Sequence, residues 1–169
     1  MEGAAHVLAA GALALVVAGS AQAQEAGAPH ADCAEAVGAY LTDNPGAEPS
    51  RSLITLSADG LVLFADSGEG GGAGFAPFTG GHGAWRCVAT EAGSLRLSAT
   101  ILDFTLPTAD WPHQQIGRLD IEANADPAKG TMTGTMKLMT APLDGDPLAA
   151  AELVQDAAGT FDAVRITAP

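Results

Sequence analysis

Three side chains able to do chemistry crowd into one stretch, "FTGGHGAWRCVAT", where His82, Trp85 and Cys87 follow the glycine-rich run "SGEGGGAG". An imidazole that titrates near neutrality can carry a proton or hold a metal, and a thiolate can act as a nucleophile. His82 stands between Gly81 and Gly83, so it reads either as a ligand contact or as a loop histidine beside glycines that serve turn geometry. Trp85 and Cys87 are two apart, the spacing that puts both on one face of a strand. Neither cysteine is accompanied by a paired histidine motif, which argues against a catalytic thiol.

Asp103 interrupts the apolar end of "ATILDF", which places a carboxylate near a barrel mouth or bulge; if buried it needs a partner, for which Arg118 or Arg96 is available. "DWPH" offers a second aromatic and histidine pair, Trp111 and His113. Together with His82 and Asp103 these have no recognised ligand spacing, so no metal is assigned. "LDGDPL" lacks the alternation and closing glutamate of a calcium loop. The glycine run at 66–78 lacks the lysine and spacing of a phosphate loop, and reads as a loop over one end of the domain, with Phe75 and Phe78 beside it. There is no G-x-S-x-G, H-E-x-x-H or Cys-x-x-Cys motif; no catalytic residue and no cofactor are assigned.

The chain has 169 residues, enough for one domain with a real core. It opens "MEGAAHVLAAGALALVVAGSAQAQ", an apolar run too short to span a bilayer, followed by Ala21-Gln22-Ala23. Residues 1–23 therefore read as a signal peptide cleaved near Ala23, although no Lys or Arg precedes the apolar run. Residues 24–31 read as a polar tail and 32–169 as the folded domain. The expected location is secreted or periplasmic, with no membrane span. Twenty Asp and Glu against seven Lys and Arg give a net charge of −13, and removing the leader takes away Glu2 alone. Such a surface keeps an exported protein in solution and makes nucleic acid a poor partner. In an oxidising compartment Cys33 and Cys87 are most simply one disulfide, worth about 4 kcal/mol by the entropy of the loop it closes.

From Asp32 onward the apolar period is two, in short runs separated by glycine, proline and Asp-Gly signals. "SLITLSADGLVLFADS" reads as a hairpin turning at Asp59-Gly60, with the positive φ values that suit such a turn. A second turns at 91–93 and a third at 124–130. In the third, Arg118, Asp120 and Glu122 share a face that looks either at water or into a polar lumen. Segments 37–42 and 159–167 complete about eight strands. "DPLAAAELVQDAAG" predicts a short helix or helical turn before the last strand, capped by Asp146 and ended by Gly159. The fold class is thus all-β, and eight consecutive antiparallel strands close most naturally as an up-and-down barrel.

A first strand with Gly38-Ala39-Tyr40, an eight-strand meander, a short helix before the end and a last strand with Arg165 resemble the calycin superfamily, the lipocalin and avidin type of barrel. The runs "RSLITLSADGLVLFADSGEG", "GHGAWR", "SATILDF", "GTMKL" and "GTFDAVRI" are similar to exported lipocalin-like bacterial proteins without assigned activity. The resemblance implies that Tyr40, standing where that group has Trp, packs with Arg165 to close the base. It implies a non-enzymatic barrel that binds a small, partly apolar molecule, with Phe75, Phe78, His82, Trp85, Asp103 and Trp111 at the mouth. Two other readings stand beside it. One is an isomerase, cyclase or hydratase using His82 or Asp103 as proton carrier; the other is an envelope interaction or inhibitor module acting through the glycine-rich loop.

Overall fold

Alternation of apolar and polar residues gives each segment one face that must be hidden, and eight such segments hide it by curling into a ring. The computed structural model describes residues 31–45, 49–72, 74–90 and 93–169. The leader and tail expected at 1–30 lie outside the described residues. A six-residue 3-10 helix, Ala31–Ala36, is followed by β1 (Gly38–Asp43), β2 (Ser52–Leu56), β3 (Leu61–Asp66), β4 (Gly81–Ala89), β5 (Leu95–Phe104), β6 (Gln115–Asp126), β7 (Thr131–Pro142) and β8 (Val154–Arg165). Every strand pairs antiparallel with the next, and β8 returns to β1 through Tyr40 opposite Arg165, so the barrel is closed.

The lumen is filled by one parity of each strand, including Tyr40, Ile54, Val62, Trp85, Leu97 and Ile121. Arg118, Asp120 and Glu122 have the opposite parity to Leu119 and Ile121, so they lie on the outer face. There Arg118 holds Asp120 through two contacts of 2.9 Å and donates to the Pro147 carbonyl.

The two ends of the ring are built differently. At one end β2–β3, β4–β5 and β6–β7 are joined by tight turns, each ending in a glycine of positive φ: Gly60 at 86°, Gly93 at 77° and Gly130 at 64°. In each the glycine N–H returns to a carbonyl three residues back, on Ser57, Thr90 and Pro127. The hairpin at Asp59-Gly60 thus differs from expectation, since among the described residues none other than glycine has positive φ; the turn is one residue wider, and Gly60 alone takes the left-handed position. At the other end the connections at 67–80, 105–114 and 143–153 are long.

The helix expected before the last strand is reduced to one 3-10 turn, Ala150–Glu152, and β8 begins at Val154. Helix propensity of the alanines is overridden because this segment completes the ladder to β7, with Leu138 opposite Ala157 and Met136 opposite Gly159. A register shift at Leu138/Met139 interrupts this ladder between Ala157 and Gln155.

Candidate functional site

The end with the tight turns is sealed. The disulfide Cys33–Cys87 ties the 3-10 helix to β4 across a sequence separation of 54. The Tyr40 hydroxyl donates to the Ala36 carbonyl at 2.9 Å and accepts from Arg165 Nη2 at 2.7 Å. The Arg165 guanidinium stands 5.3 Å from the centre of the Tyr40 ring, and also donates to the Glu35 carbonyl. Trp85 points into this half of the lumen, 4% exposed, its indole N–H donating to the Ser57 carbonyl at 3.0 Å. It is a core residue of the closed half and does not line the cavity at the other end.

The opposite half opens into a cavity of about 860 Å³, within the size range of small-molecule sites. Phe64, Leu119, Met136 and Leu138 make its apolar wall, and Phe75, Phe78 and Trp111 stand at its edge. On β8 the wall is thin, built from Ala157, Ala158 and Gly159, and a Cβ added at Gly159 would meet no atom within 4 Å. Small residues in the strand that sequence reasoning took for a helix therefore leave the space unfilled.

Glycines in the loop at 67–80 seat the edge aromatics. A Cβ at Gly72 would come within 2.7 Å of the Phe75 ring, and Gly71, at φ 81°, abuts Pro77. Phe75 and Phe78 lie with ring centres 6.4 Å apart and are tilted at 49°. The Phe78 N–H is held by the Glu69 carbonyl. Trp111, 41% exposed, comes from the loop at 105–114, where its N–H bonds the Thr108 hydroxyl.

Two carboxylates reach this cavity. Asp66, at the end of β3, accepts from Ser52 Oγ at 2.6 Å, Ser50 Oγ at 3.2 Å and the Gly68 N–H at 2.7 Å, with Asn44 Nδ2 at 3.4 Å. Asp103 continues the inward parity of Leu97 and Ile101, is only 7% exposed, and has no arginine partner. Arg118 is engaged by Asp120 outside the barrel, and Arg96 lies exposed on the outer face of β5, so the ion pair expected for Asp103 is absent among the described residues. Burial, and then repulsion from Glu69, push the Asp103 carboxyl up to about 6. Its room comes from Gly117, the residue opposite on β6, where a Cβ would fall 2.1 Å from Asp103 Oδ1.

His82 is not brought to this site. β4 begins at Gly81, so His82 is not a loop residue but sits within the strand on the outward parity, between Leu63 and Leu102, exposed. Its flanking glycines face inward: a Cβ at Gly83 would fall 1.9 Å from the Thr100 carbonyl oxygen, which makes Gly83 a close-packing residue of the wall. Of the six mouth residues expected from sequence, Phe75, Phe78, Asp103 and Trp111 line the cavity, while His82 and Trp85 do not. The Asn44, Ser50, Ser52 and Asp66 cluster was not anticipated; it joins three strand ends, and no local spacing announces it. Among the described residues no group of His, Cys, Asp and Glu is arranged to hold a metal ion, and no helix is long and apolar enough to cross a membrane.

Comparison with family models, with curated proteins and with solved structures finds no match to this chain.

Proposed function

We propose that this protein is an exported barrel of calycin type that holds a small, partly apolar molecule in its open half, without catalysing its conversion. The observation that carries this reading is the asymmetry of the lumen. One half is packed and cross-linked, and the other keeps about 860 Å³ of space behind an apolar wall. A barrel that served only as a rigid body would gain stability by filling that space with side chains, since every lost contact weakens the fold. Aromatic residues at the rim and a mainly apolar wall into which polar side chains such as Asp66 and Asp103 are set match the composition of a ligand cavity. The leader reading of residues 1–23 and the Cys33–Cys87 bond support export. Closure of the base by Tyr40 and Arg165, together with the meander topology, supports the calycin assignment.

A second reading, proton transfer by Asp103, is favoured by one observation, a carboxyl held near 6 inside a cavity. His82, the other proton carrier considered from sequence, faces away from that cavity.

Purified protein, denatured in organic solvent and extracted for mass spectrometry, is expected to release a single class of small molecule in near-stoichiometric amount. An empty extract, together with failure to bind any lipophilic probe, would contradict the reading.

A further inference from the structure

The charge on the cavity wall has one sign. Asp66 and Asp103 both line it, and no Lys or Arg among the described residues does. Their surroundings differ. Asp66 is saturated by two serine hydroxyls, an amide and a backbone N–H. Asp103, more than nine-tenths buried, receives no hydrogen bond among the described residues. The groups around it supply no cation either. On β6 the residue opposite is Gly117, on β4 the lumen residue at that level is Gly81, and the loop at 67–80 adds the negative Glu69. The arginines of neighbouring strands, Arg96 and Arg118, lie on the outer face.

A carboxylate with no protein donor, hydrated only through the cavity, costs the fold free energy, and an apolar side chain would remove that cost. The barrel instead accommodates it, leaving Gly117 without a side chain where any Cβ would collide with Oδ1. A group kept at such cost and turned toward an open cavity is completed by something that enters the cavity. The partner that satisfies both its charge and its lone pairs is a cation with N–H donors.

We infer that the cavity takes lipophilic amines, an ammonium or amidinium group meeting the Asp103 carboxylate while the apolar body lies against Phe64, Leu119 and Leu138. This rests on the reading of the cavity as a ligand site, and it adds the chemical class of the ligand. Carboxylates of the same length are disfavoured, because they would place like charge beside Asp103, Asp66 and Glu69.

The test uses three ten-carbon probes that differ only in the head group: decylamine, decanol and decanoate. Each is titrated into the folded protein at pH 7.5 by displacement of a neutral fluorescent probe. Decylamine is expected to bind roughly tenfold or more tighter than decanol, with decanoate weakest. Asp103→Asn is expected to erase the preference for the amine, decylamine affinity falling to about that of decanol; Asp103→Ser, which also fits beside Gly117, gives the same readout should the first variant not fold. Asp66→Asn is expected to retain the preference. Equal affinity for decanol and decylamine, or an amine preference that survives both Asp103 variants, overturns the amine inference and leaves the cavity reading intact. Failure of all three probes to bind overturns both.

Discussion

The two ends of this barrel use the same strands for opposite purposes. At the base, three turns of one design, a disulfide, and the Tyr40–Arg165 contact close the end in which Trp85 is buried. At the mouth, β6 and β8 present Gly117, Ala157 and Gly159 to the cavity, and long loops carry the aromatic residues to the rim. Stability is thus concentrated at one end, which frees the other to keep a cavity and an unpaired carboxylate. Glycines thus have two jobs in this barrel. Gly60, Gly93 and Gly130 allow turns at the base, whereas Gly117 and Gly159 reserve space near the mouth.

That contrast can be broken by variants at either end. The largest effect is expected at the base: Cys33→Ser with Cys87→Ser removes a cross-link spanning 54 residues and should lower the free energy of unfolding by about 4 kcal/mol, measured by urea denaturation. Tyr40→Phe leaves the Ala36 carbonyl and Arg165 without the hydroxyl that joins them, for an expected loss of about 1–2 kcal/mol by the same measurement.

At the mouth the sign reverses. The folded chain holds the Asp103 proton up to about pH 6, whereas the unfolded chain releases it near 3.8. The folded state therefore binds more protons between those values, and this stabilising contribution is complete below pH 3.8 and is lost as pH rises through 6. Asp103→Asn, which cannot ionise, should make the empty protein more stable than the parent above pH 6. The gain should be about 1–2 kcal/mol, allowing for screening by water in the cavity, and it should vanish toward pH 4. A loss of stability at pH 7.5 would show that Asp103 is a structural residue. Binding of a lipophilic amine should weaken below pH 6 as Asp103 takes up its proton, with Glu69 and Asp66 the other carboxylates near enough to shift the profile. The smallest effect belongs to the rim: Phe75→Ala should change stability by less than about 0.5 kcal/mol and speed probe release a few-fold in stopped-flow displacement.

Much of the fold was legible in the sequence because period-two patterning and glycine-marked turns are local signals. The strand count, three hairpins, the closed barrel and the Cys33–Cys87 pairing all follow from residues near one another or from elimination. The start of β8 was not legible, since Ala149 to Ala151 and Ala157-Ala158 carry helix propensity, and only the ladder to β7 makes part of this segment a strand. His82 was misplaced for a related reason: its glycine neighbours suggested a loop, while β4 in fact extends back to Gly81 and fixes its parity opposite to that of Trp85. The inward position of Asp103 did have a signal, as it continues the alternation of Leu97, Ala99 and Ile101. What no spacing could show was that Gly117, far along the chain, is the residue that makes room for it.

Titrating a neutral lipophilic fluorophore such as N-phenyl-1-naphthylamine into the parent protein and into Gly159→Phe asks whether the open half takes a ligand and the closed half does not. Position 159 has open space for a side chain and no positive φ, so the phenyl ring is expected to occupy the cavity while the barrel stays folded. Saturable one-to-one binding by the parent, weakened tenfold or more in Gly159→Phe at unchanged circular dichroism, is the predicted result. No binding by the parent, or equal binding by both proteins, would contradict it.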